Sequence, residues 1–197
     1  MKKSEVTRAQ ILEAACQQFA KVGYHNTKIS DIVQTLHLSQ GTFYWHFKSK
    51  EAIVLEILQT GSEQLLEVIH KGYRHSNGTT EEMIKGSHRL LMDIFHFALE
   101  NRYFMEVLLL QSNENESIQQ MCQSIRQSVE DAFRANIESA VALKMLPAQM
   151  DVALRASFLT NLIEGSIIRW LFKNEERTAE EIANELVKFE FYGLFAQ

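Results

Sequence analysis

The sequence holds a single proline, Pro147, and eight glycines among 197 residues, so few positions interrupt a helix. No apolar run reaches the ~18 residues that a membrane-spanning helix needs, so no membrane partner is expected. Two cysteines, Cys16 and Cys122, sit inside helical patterns and lack metal-ligand spacing. A disulfide framework is thereby disfavoured, and a reducing cytoplasm is the expected setting. The N-terminus, "MKKSEVTRAQ", has lysines but no apolar stretch behind them, so a secretory signal is not expected. No nucleophile–base pair, phosphate-cradling loop or metal set stands out, so neither catalysis nor a cofactor is expected. His88 and His96 are too far apart on a helix to form a tight ligand pair.

Positive charge is also in short supply, with a formal net charge of −5. Taken alone, that argues against a nucleic-acid partner, but the distribution is uneven. Residues 1–50 hold seven lysines and arginines against three acidic residues, while the rest holds thirteen against twenty-two. A basic end on an acidic body suits a protein that meets a polyanion at one end.

What is present is helical periodicity almost throughout, with strand-like alternation nowhere sustained. The expected fold is all-α, with about nine helices. Thr7 with Gln10, Thr79 with Glu82 and Thr178 with Glu181 read as capping boxes, in which each side chain satisfies an unpaired backbone N–H. Ser39 and Ser49 read as caps of a short helix to Phe47 and of a long one after it. Pro147 fits the first turn of a helix over about 148–173.

The stretch "SQGTFYWHFKSKEA" is the most informative. On a helix, Phe43 and Phe47 fall together and form a narrow apolar edge, while Gln40, Gly41, Thr42, Tyr44, Trp45 and His46 spread over the rest. A short helix, a tight "HLS" turn and an anchored second helix make a helix-turn-helix, whose second helix enters the DNA major groove. Gln40 can pair with an adenine edge, and Thr42 offers a hydroxyl and a methyl group. Gly41 lets the backbone approach closely, and Tyr44 and His46 carry tips that reach phosphate. Lys28, Lys48 and Lys50 add charge on the same side.

These residues resemble the tetracycline-repressor (TetR) family of bacterial transcriptional regulators. The family pattern matches at Gly23, Thr27, Asp31, Ile32, Ser39, Gly41, Tyr44, His46, Phe47, Ser49, Lys50 and Glu51. A usual second threonine is Lys28 here, which leaves Thr27 as the nearest cap for the second helix. The resemblance implies that Thr27, Lys28, Gln40, Gly41, Thr42, Tyr44, His46 and Lys50 touch DNA. It implies a DNA-binding domain over 1–48 and a ligand-binding and dimerisation domain over 49–197.

In the body, small residues among large apolar ones on the last two long helices suit close pairing of two copies. Ala156, Ile163, Ile167, Trp170, Leu186 and Phe189 are the expected dimer contacts. The resemblance further implies a ligand cavity, for which Phe95, Leu99, Phe104, Leu108, Met121, Ile125 and Phe158 offer an apolar lining and Asn161 and Glu164 polar contacts. The expected function is a homodimeric repressor on a double-stranded operator, released by a small hydrophobic or amphipathic effector. The alternative is an effector-independent DNA-binding regulator controlled by a protein partner.

Overall fold

The computed structural model describes residues 3–72, 78–110 and 116–193. Among them are nine α-helices and no strand: α1 (Lys3–Val22), α2 (Ile29–Thr35), α3 (Gln40–His46), α4 (Lys50–Lys71), α5 (Thr80–Glu100), α6 (Arg102–Leu110), α7 (Glu116–Ala142), α8 (Val152–Phe172) and α9 (Ala179–Tyr192). The chain forms two compact units, Met1–Thr60 with Asn113–Met121, and Gly61–Ser112 with Cys122–Gln197.

In the first unit, α1 buries Ile11, Ala15 and Phe19, spaced four residues apart on one stripe. It begins at Lys3, so Thr7 lies inside the helix rather than at its cap, a correction to the sequence expectation. Nothing before Thr7 breaks a helix, and Glu5 in the first turn favours the exposed N–H groups there. Gly23 ends α1 with φ of 83°, and its N–H donates to Phe19 O at 2.9 Å.

Helix α2 has Lys28 at its cap, a side chain with no acceptor to offer. Asp31 supplies what is missing, its Oδ2 accepting from the Lys28 N–H at 3.0 Å. Thr27 is not the cap: its side chain is buried and its Oγ1 donates to Gly23 O at 2.8 Å. At the other end, His37 N–H donates to Gln34 O and Leu38 N–H to Val33 O, the paired bonds of a Schellman stop. His37 takes the left-handed conformation, with φ of 54°, which reverses the chain within three residues of α3. Ser39 then caps α3, its Oγ accepting from Thr42 N–H at 3.2 Å.

In the second unit, α6 is apolar nearly all round and is buried accordingly, with Tyr103, Phe104, Met105, Val107, Leu108 and Leu109 all inside. It packs against α8 and α5, and α9 packs along α5 and α8. The capping boxes Thr79–Glu82 and Thr178–Glu181 form as expected. Pro147 does not start α8. Asp151 does, its Oδ1 accepting from Leu154 N–H at 3.0 Å, a stronger start signal than a proline that merely tolerates a first turn. Gly61, inside α4, lies against Phe104, where a Cβ would come 2.4 Å from a ring carbon.

Candidate nucleic-acid interface

Phe43 and Phe47 are 0% and 3% exposed, with rings 6.0 Å apart, and fasten α3 to its unit. Full burial of two such side chains contributes roughly 1.5–3 kcal/mol each. Beyond them the helix turns outward: Gln40, Gly41, Tyr44 and Trp45 are exposed. A Cβ on Gly41 would meet nothing nearer than Ser39 Oγ at 3.6 Å, so the interior does not require glycine there. The helix backbone is bare at this point of the outward face. Thr42 is half-buried, its hydroxyl 3.0 Å from Ser39 Oγ. His46 is half-buried beneath the edge of Trp45, with ring centroids 4.5 Å apart. Lys28 and Lys48 are exposed.

Two expected contacts have other tasks. Thr27 is 1% exposed and spends its hydroxyl on the Gly23 carbonyl, so its side chain holds the loop instead of reaching out. Lys50 donates to Tyr24 O at 2.8 Å and to Thr27 O at 2.6 Å, with its ammonium 4.6 Å from the Tyr24 ring centre. It ties the start of α4 to the loop before α2. Its charge is absorbed by carbonyls and an aromatic face, which a reading of charge along the sequence does not reveal. Arg8 reinforces the same unit, pairing with Glu56 and lying 4.6 Å from the Phe47 ring centre. Trp45 was not among the expected contacts, yet it is 70% exposed beside Tyr44 at 55%. Its place on α3 opposite the Phe43–Phe47 edge was the available signal.

In the body, four residues of the expected ligand lining are buried. Phe95, Phe104, Leu108 and Ile125 are each under 5% exposed. Phe95 meets the Trp170 ring edge-on at 5.3 Å. Leu99 is exposed and Met121 half-buried. Asn161 is exposed, its Nδ2 donating to Ser157 O at 2.8 Å. Glu164 lies 3.8 Å from Arg126; burial raises its carboxyl pKa above the ordinary value, with Arg126 opposing. A cavity of about 440 Å³ does exist, but elsewhere in this unit, among parts of α5, α7, α8, α9 and the α7–α8 loop. Of the expected lining, Phe158 alone borders it. Periodicity marks a position as interior but carries no information on whether packing there leaves a void.

The residues expected to pair two copies have varied surroundings in the single chain. Ala156, Ile163 and Ile167 are buried within the single chain, and Trp170 is half-buried against Phe95. Leu186 is half-buried on the cavity wall, and Phe189 stays 41% exposed. The apolar face that α8 leaves open is Leu154, Phe158 and Leu162, another stripe of the same helix. Of the small residues on α8, Ala156 packs inside the chain, whereas Ala153 and Gly165 are exposed.

Among the described residues, no group of three potential ligands could hold a metal, and no helix is long and apolar enough to cross a membrane. A helix-turn-helix with an exposed recognition helix, followed by an all-helical unit, defines a DNA-binding transcriptional regulator. The profile of "Bacterial regulatory proteins, tetR family" matches residues 11–57, and that of "Transcriptional regulator C-terminal region" matches 87–189. The chain is 27% identical over 180 residues to a probable HTH-type transcriptional regulator, ArpR, of Pseudomonas putida, covering 85% of this chain and 81% of the relative. It resembles the crystal structure of PfmR, a TetR family transcriptional regulator from Thermus thermophilus, at 26% identity and TM-score 0.74, over 93% and 98% of the two chains. The fold also matches FadR from Bacillus subtilis, solved in complex with stearoyl-CoA, at 17% identity and TM-score 0.78, over 94% and 98%. The chain belongs to the TetR family of transcriptional regulators.

Proposed function

We propose that the protein is a homodimeric repressor that occupies a pseudo-palindromic operator and is released by a small apolar effector. The observation that carries the reading is the outward face of α3. Gln40, Gly41, Tyr44 and Trp45 are exposed while Phe43 and Phe47 are locked inside. Gln40 and Thr42 read base edges, and Tyr44, His46, Lys28 and Lys48 set the position on the backbone. One such helix makes few contacts, so useful affinity calls for two copies on two half-sites. The exposed apolar groups Leu154, Phe158 and Leu162 on α8, with Phe189 and Tyr192 on α9, are a face that a second copy would cover.

The effector reading is supported by the cavity of about 440 Å³, within the ~300–1,000 Å³ range of small-molecule sites. An effector changes operator affinity only through its differential affinity for two arrangements of the dimer. Phe158, Leu162 and Phe189 border the cavity as well as the exposed face, so occupancy and pairing meet in the same side chains.

The test is selection of bound duplexes from random DNA, followed by binding assays on the enriched site with variants. Tyr44→Ala should weaken binding broadly, and Gln40→Ala should relax preference at one base position by ~1–3 kcal/mol. Gly41→Ala should fold normally yet bind DNA more weakly, because its added methyl meets only the partner. Metabolite extract should release the wild-type protein. Unchanged DNA binding in all three variants would refute the interface, and no release by extract would favour control by a protein partner.

A further inference from the structure

Trp45 gains little from the protein that carries it. At 70% exposed, it is the most exposed of the large apolar side chains among the described residues. The His46 ring braces it from one side, standing at 89° to the indole with centroids 4.5 Å apart. Leaving so much aromatic surface in water is unfavourable, since such a side chain gains most from being covered.

The helix geometry says what can cover it. At 3.6 residues per turn, Trp45 falls roughly 180° from the midpoint of the buried Phe43–Phe47 edge. Tyr44 and His46 fall roughly 100° to either side of it. Gly41 lies one turn earlier on nearly the same line and carries no side chain. A Cβ there would meet nothing nearer than Ser39 Oγ at 3.6 Å, so the indole does not fold back over the bare backbone. A helix lying in the major groove, with its anchored edge away from the DNA, puts this line nearest the base edges. The flanking tips of Tyr44 and His46 then come nearest the phosphate walls.

An indole can do little with the polar code at the groove floor. It has one N–H and no acceptor, so it cannot make the paired hydrogen bonds by which glutamine or arginine names a base. It does offer a broad apolar surface, and the apolar group that bases expose in the major groove is the C5-methyl of thymine. We propose that Trp45 is a specificity-determining residue, its indole covering the C5-methyl of a thymine in each operator half-site. This rests on the reading of α3 as the recognition helix and adds a base identity to it. Contact removes water from both apolar surfaces at once, a gain that cytosine at the same step does not give.

The test uses the full chain and a duplex enriched by selection from random DNA. Each thymine is replaced singly by deoxyuridine, which pairs identically and lacks only the methyl. For the parent, at least one replacement in each half-site should weaken binding about fourfold, the usual worth of one covered carbon group. Trp45→Ala should bind the thymine and deoxyuridine duplexes equally at that step, and Trp45→Phe should keep part of the difference. Penalties at other thymines should survive in both variants. Both should melt with the parent, because the side chain is exposed, so that a lost preference is not lost folding. If Trp45→Ala binds too weakly to measure, a reduced penalty in Trp45→Phe decides the matter. No deoxyuridine penalty anywhere, a penalty undiminished in the variants, or a Trp45→Ala loss equal on every duplex would overturn the proposal. Any of these from a protein that still holds its enriched site leaves α3 as the recognition helix, whereas failure to enrich any duplex would sink both.

Discussion

Replacing the glycine inside α4 is the sharpest probe of the body. In an exposed helix interior, Gly→Ala normally stabilises by ~1 kcal/mol, through better helix propensity. At Gly61 the new Cβ would fall 2.4, 2.6 and 2.8 Å from three atoms of the Phe104 ring. Carbon atoms pack best at about 3.5–4.0 Å, so the ring must retreat by about 1 Å. It has little room, since Phe104 is 3% exposed and Phe97 stands edge-on to it at 5.8 Å. Overpacking of this kind costs ~1–3 kcal/mol, enough to exceed the propensity gain. Gly61→Ala should therefore be net destabilising by up to ~2 kcal/mol, a fall of at most roughly 4–8 °C in melting temperature for a chain of this size. Urea titration of the single variants and of Gly61→Ala/Phe104→Leu closes a double-mutant cycle. The pair should be more stable than the sum of its parts predicts, because the smaller leucine yields to the new methyl. A Gly61→Ala protein as stable as its parent, or a cycle without coupling, would refute this account of the packing.

Lys50→Met should cost about 1.5–3 kcal/mol in urea denaturation, the usual worth of hydrogen bonds from a charged group. The salt dependence of DNA binding should stay the same, whereas loss of a phosphate contact would reduce its slope by ~1. Asp151→Ala should lower stability by ~0.5–2 kcal/mol in the same titration, as expected for loss of the α8 cap. Glu181 offers a pH test. Hydrogen bonds first from the Thr178 N–H and then from its hydroxyl hold the carboxyl below its ordinary 4.5. A lowered folded-state pKa means its stabilisation is complete above that ordinary value and is lost as pH falls through the lowered one. Glu181→Gln should therefore melt below the parent at pH 7, with the gap closing in acid. A gap independent of pH would contradict the assignment.

The recognition unit was the most legible part of the sequence. The apolar edge Phe43–Phe47 and the Ser39 cap are local features, set by residues three or four apart, and both appear as read. The same holds for the boxes at Thr79 and Thr178. Two helix starts departed from the reading. At Thr7 and Pro147 a valid local signal was outweighed by its neighbours, continuous helix formers in one case and the Asp151 cap in the other. The surroundings of Lys50, Ala156 and Phe95 were not legible, because they depend on partners far along the chain and composition says nothing of which carbonyl, helix or ring will meet them. The cavity was missed because its lining comes from segments far apart in the chain, and a side chain reads the same in sequence whether the packing around it closes or leaves a void.

Phe158, Leu162 and Phe189 sit at once on the cavity wall and on the open apolar face. On the proposed reading, substitutions at these codons should therefore fall into two opposite groups: those that lose the effector leave the operator occupied whatever inducer is added, and those that lose the twin leave it empty throughout. Sedimentation of each purified mutant checks that sorting.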